Sequence, residues 1–390
     1  MTMTSARDSK IRDGRDPLSR AKALESIIQR EALRGQELHQ MSDEMTQAFT
    51  ESGLFKMNVP IELGGEEFDM QTRVDVIEEL ARADGSIGWT FMAIAGYLGY
   101  VSVGVGDDAV KDIFSNPDVK IAGMANPVGT IEDRPDGYSI HGKYKFGSGV
   151  PQSDWIAVGG LVHGGEEDGS MLCCVVPTDT ADVKGGWDPI GLVGTGSVDY
   201  DISERVVPKS YSFNVGDYVP QRGGPSGRMD FFSTAMVYHS AIAFGVAKRA
   251  LEEIVQIADT GKRRPGADLI FDQQVFQHDF ALHEGKLRAT RAYVRELIDE
   301  GIAAGTRGDS LTEVQAGRFR QAAALVHRVA LDAVEFAFFW GGSASLRKPT
   351  ALGRCMVDMH ALNNHILVDH SNFASVTAAL ATEYRRPPAQ

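Results

Sequence analysis

The sequence predicts an α+β chain that is mostly α: an N-terminal helical domain, a central antiparallel β domain and a C-terminal four-helix bundle. Three observations predict it. Apolar residues recur at helical spacing through the first hundred residues; the pattern then changes near Val119 to short β-rich runs cut by Gly, Pro and Asp. Beyond a Gly-rich linker, Gln221 to Arg228, long helical periods return. The predicted domains are 1–118, 119–220 and 229–390.

From residue 17 to 51 the period is carried by Leu18, Ala21, Leu24, Ile27 and Ile28, then Leu33, Leu38, Met41, Met45 and Phe49. Ser52-Gly53 ends that helix, and 53–65 reads as a short extended connector. A second helical pattern runs from about Met70 to Arg82. Asp84-Gly85-Ser86 breaks it, with Ser86 placed to cap a helix over 87–101. That helix holds Trp89, Phe91, Met92, Tyr97 and Tyr100 and is apolar nearly all round, so it is expected in the core. Strands are expected over 121–124, 138–144, 155–162, 170–177 and 198–207, with a turn at Asp133-Arg-Pro-Asp-Gly-Tyr138. In the last third, helices are expected over 235–258, 272–303, 310–340 and from about Leu352 onward. Ser310 and Glu313 stand at capping-box spacing.

With 390 residues and 43% hydrophobic content the chain can bury a large core. The net charge of −14 argues against a nucleic-acid surface. Three cysteines, two of them adjacent (Cys173, Cys174), make neither a disulfide framework nor a zinc pattern, which fits a reducing cytoplasm. Met1 to Asp8 lacks the apolar core of a signal peptide, and no uninterrupted apolar run is long enough for a bilayer. A cytoplasmic protein without nucleic-acid or membrane partners is expected.

The stretch from Trp340 to His370 carries the most chemistry. After a Gly-Gly turn and Pro349 it reads as one helix, on which Asp358, His365 and Asp369 fall within roughly 40° of a line. An Asp one turn after a His holds a ring nitrogen, fixes the tautomer and keeps imidazolium accessible, the preparation of a general acid/base. A capped interior helix with a satisfied histidine is the plainer alternative. His360, His365 and His370 are spaced so that successive ones turn by about 140°, which is no metal-ligand set.

Four stretches together resemble the oxygenase components of two-component flavin-dependent monooxygenases of acyl-CoA dehydrogenase fold. They are Ala81-Arg-Ala-Asp-Gly-Ser-Ile-Gly-Trp89, Phe146-Gly-Ser-Gly-Val-Pro-Gln-Ser-Asp-Trp155, Gly191-Leu-Val-Gly-Thr-Gly-Ser197, and Leu352-Gly-Arg354 with Asp358-Met-His-Ala361, His365 and Asp369. The 3-hydroxy-9,10-secoandrostatriene-dione hydroxylase type is nearest in look, with the dibenzothiophene monooxygenase type and the 4-hydroxyphenylacetate hydroxylase oxygenase further off. The resemblance implies reduced flavin (FMNH2 or FADH2) delivered by a separate NAD(P)H:flavin reductase. It also implies O2 as co-substrate, a flavin C4a-hydroperoxide, hydroxylation of an aromatic or polycyclic small molecule, and a homotetramer.

Residue by residue, the resemblance places Ser148 at the flavin ring, and makes His365, oriented by Asp369, the acid or base. Flanking glycines let Ser148 approach a flat ligand closely; an ordinary β-turn is the alternative. Gly194, Thr195, Gly196 and Ser197 offer hydroxyls and amides suited to a phosphate or ribityl chain. Asn126 lies where the first β segment borders the flavin, with a Pro-adjacent turn as its alternative; Trp89, His239 and Trp340 are pocket candidates, though a core residue is the plainer reading of Trp89 and a satisfied helix histidine that of His239. The chain departs from the family at Val357, where an Arg precedes the Asp, and at Val150-Pro151-Gln152. An acyl-CoA dehydrogenase is the rival reading, but 339–343 carries no glutamate base; N- or S-oxygenation and a non-catalytic scaffold are further alternatives.

Overall fold

The computed structural model describes residues 16–263, 265–346 and 348–385, so Met1 to Asp8, examined above for a leader, lies outside it. The described chain forms two compact units. One takes the described residues through Val76 with Ser86–Pro189 and Val193–Phe232; the other takes Ile77–Gly85, Ile190–Leu192 and the described residues from Ser233 on.

In the first unit the expected N-terminal helix is three: α1 (Pro17–Ala23), α2 (Glu25–Leu38) and α3 (Asp43–Ser52). The period is continuous, but His39 is left-handed and Ser42 starts a new helix by accepting the Met45 N–H. Helix α4 (Met70–Ala83) precedes α5 (Gly85–Gly104), which begins at Gly85, so Ser86 lies inside the first turn instead of capping it. Among the described residues α5 is long and apolar enough to cross a membrane, yet 89% of its apolar window is buried inside the protein. Phe91 of α5 meets Phe49 and Phe55 at 4.8 and 5.4 Å, and all three are buried. A short helix, α6 (Asp107–Ile113), leads into the sheet.

The sheet comprises β1 (Ile121–Arg134), β2 (Gly137–Gly147), β3 (Trp155–His163), β4 (Met171–Pro177), β5 (Ala181–Gly185), β6 (Val198–Val207) and β7 (Ser212–Asn214), in the order β5-β6-β2-β1-β3-β4-β7. Four expected strands lie within one or a few residues of the observed ones, and β5 and β7 are additional. Neighbours pair antiparallel except β1 and β3, which run parallel and correct the all-antiparallel expectation. β1 is far longer than the expected 121–124, with a break in register between Met124 and Gly129. Pro127 sits in that break, where it has no N–H to give the ladder.

In the second unit the helices are α7 (Phe231–Thr260), α8 (Gln274–Arg307), α9 (Glu313–Gly341), α10 (Ala351–Leu362) and α11 (Ser371–Leu380). Helix α9 packs against α8, α10 and α11. Its capping box is Thr312 with Gln315, not Ser310 with Glu313. The expected helix through Asp369 stops at Leu362, because Asn363 and Asn364 turn their amides back onto the Met359 and His360 carbonyls at 2.9 and 2.8 Å. A 3-10 turn, Ile366–Val368, follows.

Candidate active site

The first unit gathers four sequence-predicted residues into one hydrogen-bonded chain. β2 ends at Gly147, and Phe146 before it is left-handed at φ 62°. This sharp exit turns Ser148 inward, where its Oγ accepts from the Trp89 indole at 2.9 Å and lies 2.7 Å from Ser197 Oγ. Ser197 Oγ is in turn 2.6 Å from Thr195 Oγ1. Gly149 is required at φ 77°, and a Cβ there would meet Ile94 of α5 at 2.9 Å.

Thr195 and Ser197 are buried, and their hydroxyls face each other and Ser148, which differs from the expected role toward a phosphate or ribityl chain. The reason is local. Gly194 packs on Gly35 of α2, and Gly196 at φ 57° folds the turn back so that Val198 N bonds Gly196 O at 2.8 Å. Ser148 is 8% exposed, and beside it Phe146 shows 60% of its surface, edge-on to Trp187 at 6.1 Å. A hydroxyl with hydrogen-bonding capacity left and an uncovered aromatic face fit one edge of a planar ring such as a flavin. Asn126 stands exposed in the β1 register break, outside the hydroxyl chain.

The second unit holds the candidate histidines His239 and His365. His239 on α7 is buried and packs on His365 with ring centroids 4.2 Å apart. His327 on α9, which the sequence reading did not single out, lies 6.3 Å from His239 and is fully buried. The break after Leu362 corrects the predicted His365–Asp369 pair. His365 instead caps the 3-10 turn, its Nδ1 accepting the Leu367 N–H at 3.3 Å, which places the ring proton on Nε2. Asp369 is exposed and accepts from Ser371 N at 2.7 Å; the Ser371 hydroxyl and then this N–H hold its carboxyl below the usual range. Burial pushes His365 down to about 4, so the expected accessible imidazolium is replaced by a neutral ring that donates from Nε2. His327 donates from Nδ1 to Ala323 O at 3.0 Å, and burial takes it also to about 4. His239 is lowered by burial and by the other two rings.

Asp358 serves a different purpose. It is buried on α10 and accepts the Leu192 N–H at 2.6 Å, holding a residue whose φ is 56°. Gly191 beside it touches the Val357 carbonyl, where a Cβ would come within 2.1 Å. Burial and then Asp84 raise Asp358 to about 7, opposed by the Leu192 N–H and Arg354. Arg354 itself bonds Asp84 at 3.3 Å. Trp340 is buried among Phe276, Phe339 and Arg263.

The pattern of the acyl-CoA dehydrogenase N-terminal domain matches residues 20–117, and that of the acyl-CoA dehydrogenase C-terminal domain matches 237–370. The chain belongs to the acyl-CoA dehydrogenase family. Within that family it is similar to the indole-3-acetate monooxygenase of Pseudomonas putida, 27% identical over 87% of this chain and 86% of the relative. The oxygenase subunit of a flavin-dependent monooxygenase from Rhodococcus jostii is 25% identical over 49% of this chain and 50% of the relative. Among solved structures, XiaF from a Streptomyces species, in complex with FADH2 and glycerol, superposes with a TM-score of 0.85. It is 18% identical, with all of both chains covered. That likeness establishes the acyl-CoA dehydrogenase fold over the whole chain.

Proposed function

We propose that the protein is the oxygenase component of a two-component flavin-dependent monooxygenase that hydroxylates an aromatic small molecule. It takes reduced flavin, FMNH2 or FADH2, from a separate NAD(P)H:flavin reductase, works as a homotetramer, and resides in the cytoplasm. Bound reduced flavin supplies the electrons that let one atom of O2 enter the substrate and the other leave as water. The likeness to an indole-3-acetate monooxygenase along most of both chains favours aromatic substrates.

The observation that carries the reading is the neutral pair His239–His365, with the His365 proton on Nε2. A dehydrogenase needs a carboxylate to take a proton from carbon. A neutral imidazole offers an N–H donor to a substrate oxygen and no fixed negative charge. Ser148 would hydrogen-bond an edge of the flavin beside Phe146, its own position held by Trp89 and Ser197. The apolar helix α5, which carries Trp89, would help keep water away from that edge. His365 would be the acid or base toward the substrate; its Nδ1 accepts the Leu367 N–H, and Asp369, bonded to Ser371, has no part in orienting it.

The deciding experiment mixes anaerobic protein and FMNH2, or FADH2, with oxygenated buffer in a stopped-flow spectrophotometer. Bound flavin that reoxidises far more slowly than free flavin supports the oxygenase; reoxidation at the free rate with both cofactors returns the reading to a dehydrogenase. With an aromatic substrate in hand, His365→Ala should lose productive hydroxylation while retaining reduced-flavin affinity. Unchanged hydroxylation would remove His365 from the mechanism.

A further inference from the structure

Helix α2 ends on an unusual residue for its place. His39 follows Leu38 in the left-handed conformation at φ 56°, a helix-ending position that glycine or asparagine takes with least strain. The end of α2 is docked on the turn that leads to Ser197. A Cβ on Gly35 would touch Gly194 at 3.7 Å, and one on Gly196 would meet the Gln40 side chain at 2.9 Å. From this anchored point the His39 ring reaches the segment after β5, where its Nδ1 lies 2.5 Å from the Trp187 carbonyl oxygen. A carbonyl only accepts, so Nδ1 carries the proton and donates. The Asp188 carboxylate stands 3.8 Å from the same nitrogen.

That segment leaves β5 through Gly185 and Gly186, both left-handed, at φ 68° and 83°. Among the described residues nothing lies within 4 Å of where their Cβ atoms would stand, so packing at the bend does not fix the chain beyond it. The next residue, Trp187, sets its ring edge-on to Phe146 at 6.1 Å, and Phe146 stands two residues before Ser148. Resting on the reading of the Ser148 edge as the flavin contact, we propose that His39 is a positioning residue for the flavin: by holding the Trp187 carbonyl it fixes Trp187 against Phe146, so that the aromatic wall beside Ser148 is formed before the flavin arrives. A wall already in place removes the entropy of ordering it from the binding step. The left-handed histidine, where glycine would sit more easily, is backbone strain retained for binding.

The test is an anaerobic fluorescence titration of the whole protein with dithionite-reduced FAD and FMN, run beside thermal unfolding. His39→Gly relieves the left-handed backbone and removes the donor; the two effects offset, so Tm should stay within about 2 °C of wild type. Reduced-flavin affinity should nevertheless fall about fivefold, the size of one lost hydrogen bond. His39→Asn and His39→Asp both tolerate the left-handed backbone, but only Asn supplies an N–H. Asn should keep wild-type affinity and Asp should lose as much as Gly, which keeps the test available if His39→Gly folds poorly. In a Trp187→Ala background His39→Gly should cost no further affinity, because the effect passes through Trp187. Unchanged affinity in His39→Gly and His39→Asp, an equal loss in His39→Asn, a further loss in the Trp187→Ala background, or a loss that only follows a falling Tm overturns the proposal and leaves Ser148 as a flavin contact. Wild-type protein that binds neither reduced flavin, or Ser148→Ala that binds as tightly as wild type, overturns that contact, and the role of His39 with it.

Discussion

Four uncharged groups in one unit, Trp89, Ser148, Ser197 and Thr195, satisfy one another through directed hydrogen bonds. Three histidines in the other unit, His239, His327 and His365, sit in one another's company with backbone bonds at two of the rings. Both arrangements hold polar groups in an apolar interior. In the first, no group changes its proton count over the ordinary pH range. In the second, burial disfavours the charged form, so the proton count is what responds to conditions. The first region should therefore be indifferent to pH, and the second should govern the pH behaviour of the protein.

The largest expected effect follows from the histidines. Their folded values lie below the unfolded one, so the stability they contribute is fully present above about pH 6.5 and is lost as pH falls through about 4. For the fully buried His327 the whole window corresponds to about 3 kcal/mol. Urea unfolding between pH 7 and pH 4 should show stability falling with acid, and His327→Gln, whose amide does not titrate, should flatten part of that slope. An identical slope in the variant would mean the buried rings do not control it.

Asp358 sharpens the contrast because its sign is opposite. Its folded value is raised to about 7, so its contribution is fully present below about pH 4 and is lost as pH rises through 7. Asp358→Ala removes the acceptor of a buried N–H that holds the left-handed Leu192, and should cost about 2 kcal/mol at pH 6. Asp358→Asn keeps an acceptor and cannot ionise; its stability relative to wild type should rise as pH goes from 5 to 8. A loss of the same size at both pH values would show that ionisation is not what Asp358 contributes.

What the sequence revealed divides along similar lines. The helix–β–helix order, the strand over 198–207 and the buried helix with Trp89 were legible because local periodicity and turn residues specify them. The grouping of Ser148, Ser197 and Trp89 was reached through resemblance, since strand pairing and not spacing brings them together. The parallel β1–β3 pair is a long-range choice that local pattern does not encode. The His365–Asp369 geometry was missed for a reason present in the sequence: Asn363-Asn364 offers side-chain amides that end a helix by bonding its last carbonyls. His327 carried no local signal, being one polar residue on the apolar face of α9, and only its proximity to His239 gives it meaning.

The smallest expected effect tests the indifference of the first region directly. Thr195→Val keeps the shape of the buried side chain and removes the hydroxyl beside Ser197, so Ser197 loses one partner while retaining Ser148. The cost should be about 1 kcal/mol, one neutral hydrogen bond in a buried site. Because neither Thr195 nor the groups it reaches through Ser197 and Ser148 changes charge between pH 5 and 8, the loss should be the same at both ends of that range. Thermal unfolding of the variant beside wild type at pH 5 and pH 8 measures it. A penalty that grows at either end would place a titrating group in contact with the hydroxyl chain, and the separation between a region governed by direction and a region governed by charge would no longer hold.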